Sequence, residues 1–240
     1  MRSPIVLRCL VGVFCFALGA MFVTGSAASL NQSSQNFTPF RTCTITATPS
    51  GTTAVRDAHV QQATATTNFG TATAMNVASA TAANRRVHVW FNLALCTPAI
   101  PATATIRLAT LRLYVTALPT VCRTIAVFRV GASAWTEAAL TWNNQPFGTT
   151  INNPAPGTAS VQFNVGTPVG CTNLAAGYVT GATVTADVAA FVAGTATNNG
   201  WMLRDSVEGS ATARTTTFST KNLGTLAQAP QLIVTYVTLP

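Results

Sequence analysis

The chain has 240 residues, only 8% of them charged, and its 13 lysines and arginines against 5 acids give a formal charge of +8. Beyond the first ten positions the basic residues are scattered from Arg41 to Lys221, with Arg85-Arg86 the one adjacent pair. That dispersion excludes the clustered basic element of a nucleic-acid-binding protein, and so few acids leave little material for acid–base catalysis, so no enzyme is expected.

Residues 1–28 read as a signal peptide. Arg2 and Arg8 supply a basic start, an apolar and small-residue run extends from Leu10 to Val23, and small residues follow, with cleavage expected after Ala27 or Ala28. The run is short for a membrane span and Arg8 interrupts its upstream flank. The product is therefore expected to be secreted, extracellular or at the cell surface, with no membrane insertion once the leader is removed. Loss of Arg2 and Arg8 turns 13 basic residues into 11 against 5 acids, a formal charge of +6.

Residues 29–42 are polar and aperiodic, which predicts a flexible N-terminal segment. It carries two glycosylation sequons, Asn31-Gln32-Ser33 and Asn36-Phe37-Thr38. Residues 43–240 form one domain. The stretch Ala63 to Ala83 reads as strand and loop. Val87, Val89 and Phe91 alternate with His88, Trp90 and Asn92, and Leu111, Leu113 and Val115 with Thr110, Arg112 and Tyr114. Such alternation is that of half-buried antiparallel strands. Ile125–Val130, Val161–Val165, Trp201–Arg204, Thr215–Ser219 and Leu232–Val237 are further strands. A short helix is expected at Val184–Val192, where Val184, Val188 and Phe191 recur at helical spacing. Many short strands without helical crossovers predict an all-β fold, an antiparallel β-sandwich of jelly-roll-like form.

Four cysteines, Cys43, Cys96, Cys122 and Cys171, remain after the leader. They lack zinc-site spacing, and in an exported chain they predict two disulfides with three possible connectivities. Cys96 ends one apolar strand and Cys122 opens another, which favours Cys96 with Cys122 and Cys43 with Cys171. A closed loop of that size stabilises by roughly 3 to 4 kcal/mol.

Eight blocks then follow in order: Asp57-Ala58-His59-Val60, Asn68-Phe69-Gly70, Val87 to Leu93, Ala109 to Val115, Trp135 to Pro146, Ala186-Asp187-Val188 with Phe191, Asn199 to Arg204, and Pro230 to Tyr236. Over Asp57 to Val237 they resemble the DNRLRE domain, a secreted β-sandwich that overlaps the family 96 carbohydrate-binding modules. The resemblance implies a non-catalytic carbohydrate-binding protein, with a polysaccharide partner of acidic type such as alginate. Trp90, where a basic or polar residue is common, and the cysteine-bearing insertion at Gly170-Cys171-Thr172 depart from the usual pattern. The competing expectation is a structural or adhesive protein of the cell surface or extracellular matrix, favoured by the disulfides and the Thr/Asn-rich composition.

Alternation turns His88, Trp90, Arg112 and Tyr114 away from the core. If the four share one outer face, Trp90 and Tyr114 offer flat surfaces for sugar C–H groups and Arg112 offers a fork for a uronate carboxylate. The competing reading has that face covered by a loop or another segment. Trp135 and Trp142 read as a small core pinning a long loop in place. No cofactor is expected beyond structural calcium, for which Asp57 and Asp187 are the candidate ligands; Glu137 and Asp187 lack any spacing that would pair them as glycosidase carboxylates.

Overall fold

A computed structural model describes residues 39–47, 53–131 and 133–238. The leader, residues 29–38 and both sequons lie outside the described residues. The first strands are β1 (Arg41–Thr46), β2 (Val55–Gln61), β3 (Ala74–Ser79) and β4 (Arg85–Phe91). Next come β5 (Thr105–Arg112), β6 (Tyr114–Ala117), β7 (Arg123–Arg129), β8 (Val161–Val165) and β9 (Gly177–Tyr178). The helix α1 (Thr185–Val192) precedes β10 (Trp201–Asp205), β11 (Arg214–Ser219) and β12 (Gln231–Val237). β1 opens at Arg41, two residues ahead of the expected start of the fold at Cys43.

All strand pairings are antiparallel. One sheet has the order β1-β12-β5; the other runs β8-β7-β10-β4-β3-β11-β6-β9, with β2 lying along β4. Two-residue periodicity explains how they meet. Cys43 and Ile45 of β1, Leu232 and Val234 of β12, and Ala109 and Leu111 of β5 point inward from the smaller sheet. They pack on Val87, Val89 and Phe91 of β4, Trp201 and Leu203 of β10, and Ile125 and Val127 of β7. The chain is thus an all-β sandwich, and burial of this shared apolar layer is its main source of stability.

The run from Thr110 to Val115 is two strands rather than one. At Leu113 the chain leaves the smaller sheet for the larger, β5 pairing with β12 and β6 with β11 and β9. Leu111, Leu113 and Val115 stay buried across the corner because both sheets face the same core. The helix at 185–192 forms as expected, its Val188 and Phe191 entering that core. Asp187 sits in its first turn, where a negative charge is favoured by the helix dipole, and accepts the Trp201 indole N–H at 2.8 Å.

The four cysteines do form two disulfides, but in a different pairing from the expected one: Cys43 with Cys96 and Cys122 with Cys171. Cys43 faces inward from β1, beside the segment that follows β4, whereas Cys122 enters β7 on the larger sheet next to the 171 loop. Adjacency along the chain was the wrong guide, since the pairing is set by which strands lie side by side in space.

The opposite face of β4 is also covered. Residues 130–160, between β7 and β8, fold back over it, so that Trp135, Leu140 and Trp142 pack with Ala58, Val60, Ala126, Phe128 and Met202 in a second apolar cluster. This is the small core that the two tryptophans predicted. A buried ion pair fastens it. Arg86, projecting from β4 on this face, gives Nε and Nη2 to the two Glu208 oxygens at 2.8 Å each, donates to the carbonyls of Gly148 and Thr150, and lies 4.7 Å from the Trp142 ring. Asn152 N–H donates to Glu208 Oε2 at 2.7 Å.

Candidate functional site

A cleft of about 400 Å³ opens where three loops meet the edge strand β2. Its walls are Gly70 and Thr71 from the β2–β3 connection, Thr136, Glu137 and Ala138 from the β7–β8 connection, Lys221 and Asn222 from the turn after β11, and Arg56 from β2. The loops hold one another. Asn68 Nδ2 donates to the carbonyls of Glu137 and Leu140 at 2.8 Å, and Asn222 Nδ2 to that of Gly70 at 2.9 Å. Only glycine fits at position 70, where a Cβ would stand 2.3 Å from the Glu137 carbonyl oxygen.

The charged groups of the site are ordered by pairing. Lys221 Nζ lies 2.6 Å from Glu137 Oε1, with 6% and 13% of the two side chains exposed. The Lys221 backbone N–H donates to Asp57 Oδ2 at 2.7 Å, while Asp57 Oδ1 is buried with no partner among the described residues. Arg56 stands directly across the β2–β4 ladder from Trp90 and lays its guanidinium 4.2 Å above that ring, with Nη1 at 3.5 Å from the Trp135 carbonyl. The stacking fixes the plane of the fork, and among the described residues its one acceptor is the Trp135 carbonyl, which leaves further donors for the cleft that it lines.

Burial pushes Asp57 up from 3.8 to about 7; the Lys221 N–H opposes the shift and the Glu137 charge adds to it. Burial also moves Glu137 upward, against the pull of Lys221, Asn222 and Arg56. The histidines move the other way. Burial, assisted by Arg85, lowers His59 to about 4, and burial with Arg86 nearby lowers His88 to about 3. These shifts set a pH dependence of stability. A depressed histidine refuses in the folded state a proton that the unfolded chain takes, so stability is lost as pH falls below 6.5; a raised Asp57 keeps a proton that the unfolded chain releases, so stability is lost as pH rises from 3.8 to 7. Between about 4.5 and 6.5 unfolding takes up protons on the two histidines and releases one from Asp57 and part of another from Glu137, so stability rises with pH less steeply than the histidines alone would make it. Above 6.5 Asp57 reverses the slope. Thermal unfolding from pH 4 to 8 is expected to show a maximum near 6.5. In Asp57→Asn the decline above it disappears and the acid limb steepens; parallel curves for the two proteins would show that Asp57 does not titrate in this way.

The four side chains expected to share a ligand face do not. His88 is fully buried, edge-on to Trp135 with ring centroids 5.7 Å apart, so it is a packing residue and not a ligand contact. Trp90 is half-buried, its indole N–H donating to the Asn198 carbonyl at 3.0 Å, and borders the cleft only through Arg56. Arg112 and Tyr114 lie elsewhere: Arg112 is in the smaller sheet, and β6, which carries Tyr114, is separated from β4 by β3 and β11. Both converge on Tyr178, Arg112 at 4.1 Å from its ring and Tyr114 edge-on at 5.3 Å. The calcium candidates have other partners. Asp57 accepts from Lys221, Asp187 accepts from Trp201 and lies 3.7 Å from Arg129, and among the described residues no group of three or more metal-ligating acids, histidines or cysteines forms.

Sequence reasoning passed over Arg56, Lys221, Asn222 and Tyr178. A signal did exist for one of them, since Lys221 is the one lysine of the chain; the place of Arg56 opposite Trp90 is set by the pairing of β2 with β4.

No curated protein matches the chain. The model of carbohydrate-binding module family 96 matches residues 48–236, which takes in every element from β2 to β11, all but the last residue of β12, and all the walls of the cleft. With well over half of its length matched, the chain belongs to carbohydrate-binding module family 96.

Proposed function

We propose that the protein is a secreted, non-catalytic binder of acidic polysaccharide, and that it holds a uronate carboxylate on Arg56 in the cleft between Gly70, Glu137 and Lys221. The observation that carries this reading is the oriented guanidinium: stacked on Trp90 and open to the cleft, Arg56 presents a planar fork that matches a carboxylate. The Lys221–Glu137 pair and Asn222 beside it offer donors and acceptors for ring hydroxyls. Two disulfides and the N-terminal leader sequence support export. A non-catalytic role is supported by the same carboxylates that could suggest chemistry, since Asp57 is 1% exposed and Glu137 is held by Lys221, leaving neither free to exchange protons with a substrate.

Affinity electrophoresis in gels containing alginate, with a neutral β-glucan as control, tests the reading. Wild-type protein is expected to be retarded by alginate alone, and Arg56→Ala to lose about tenfold or more in affinity, the scale of a hydrogen bond to a charged partner. Equal retardation of the two proteins by alginate would remove Arg56 from the site.

A further inference from the structure

The smaller sheet turns a second face to solvent, opposite the one that enters the core. Thr44 of β1, Ile233 of β12 and Thr110 of β5 form one row across it, and Gln231 and Arg112 end the next. Regular alternation would place Arg107 on the inner side, between Ile106 and Leu108. It does not, because the β5–β12 ladder slips there: Leu108 pairs with Thr235 and Ile106 with the following residue, Tyr236, so Arg107 is the extra residue of a β-bulge. Arg107 and Leu108 are both exposed as a result, Leu108 by 47%. The bulge therefore adds a second cation to the face that already carries Arg112.

Nothing on this sheet neutralises the two charges. The five acids of the chain are Asp57, Glu137, Asp187, Asp205 and Glu208, none of which lies in β1, β5 or β12. Among the described residues the ion pairs of the carboxylates go to Arg86, Arg123, Arg129 and Lys221. Arg112 is instead held flat, at 4.1 Å from the Tyr178 ring and 3.1 Å from Gln231 Oε1. At about 3.3 Å per residue the two arginines stand roughly 15 Å apart along the strand, with Leu108 and Ile233 as apolar ground between the hydroxyl rows.

We propose that this face is a second contact surface for the acidic polysaccharide, over which an extended polyuronate chain lies with carboxylates on Arg107 and Arg112 and sugar C–H faces on Leu108 and Ile233. The inference rests on the reading of the ligand as an acidic glycan and adds a surface separate from the cleft. Charge complementarity selects the occupant. Two fixed cations on a flat, hydroxyl-bearing sheet match a polymer with one carboxylate per sugar, and the face lacks the dense lysine and arginine array that a phosphate backbone or an anionic membrane requires.

The test separates the two surfaces. Arg107→Glu and Thr44→Glu each place a negative charge on the exposed face without touching the core, and Arg107→Lys keeps the charge. Retardation by long-chain alginate is expected to fall roughly fivefold in the two glutamate variants, with a shallower response to salt, and to be restored in Arg107→Lys. Calorimetric binding of a short uronate oligomer is expected to be unchanged in all three and lost in Arg56→Ala. Wild-type retardation in both glutamate variants would overturn the second surface and leave the cleft standing. Loss in those variants with full retention in Arg56→Ala would keep the face and overturn the cleft. Absence of any alginate binding by the wild-type protein would overturn both.

Discussion

Glu208→Ala is expected to unfold on the order of 10 °C below the wild-type protein. The reason lies in what the substitution leaves behind. Arg86 and Glu208 are both wholly buried, and among the described residues the guanidinium has no other anion within reach, its remaining partners being the Gly148 and Thr150 carbonyls, the Gln145 amide oxygen and the Trp142 ring. Removing one member of a buried pair strands the charge of the other and typically costs about 3 to 5 kcal/mol. In a domain of this size each kcal/mol moves the midpoint by roughly 2 to 4 °C. The loss is compounded by the Asn152 N–H, which donates to Glu208 and would be left without its acceptor. An Arg86→Met/Glu208→Leu double variant is expected to recover part of the loss, because no charge remains to be solvated. Single variants that melt within 2 °C of the wild type would show that the pair is not what fastens the 130–160 loop.

Cys43→Ala/Cys96→Ala is expected to lower stability by about 4 kcal/mol, and Cys122→Ala/Cys171→Ala by a similar amount. The disulfides span 53 and 49 residues, loops long enough for their closure to remove substantial entropy from the unfolded chain. The first has a wider structural consequence, since it ties β1, whose outer edge pairs with no strand among the described residues, to the segment that follows β4 on the facing sheet. Urea titration of the two double variants, with peptide mapping of the parent under non-reducing conditions, checks both the magnitude and the pairing. Peptides joining Cys96 to Cys122 would contradict it.

What could be read from the residues was whatever depends on neighbours along the chain. Val87, Val89 and Phe91 point inward because a two-residue period with one apolar parity permits nothing else, and Val184, Val188 and Phe191 mark the helix for the corresponding reason at 3.6 residues. Trp135 and Trp142 announced a loop with its own core. The change of sheet at Leu113 was hidden because inward alternation continues through the corner. His88 does point away from the core, as its parity requires; its burial comes from a loop some fifty positions later, about which parity is silent. The cleft escaped notice for the same reason, being assembled from residues near 56, 70, 137 and 221 that only the folded chain brings together.

All five carboxylates and both histidines are drawn inside or into pairs, with no side chain among them on the open surface. The exterior that the described residues present therefore has almost nothing that titrates between weakly acidic and weakly alkaline conditions, and the one proton that Asp57 exchanges near neutrality moves in the interior. Toward its surroundings the described domain therefore carries a positive charge that stays fixed across this range. Once adsorbed on a polyanionic matrix it would be held with nearly constant strength through acidification or alkalinisation, and dissolved salt, by screening arginines that never lose their charge, is the agent that would release it.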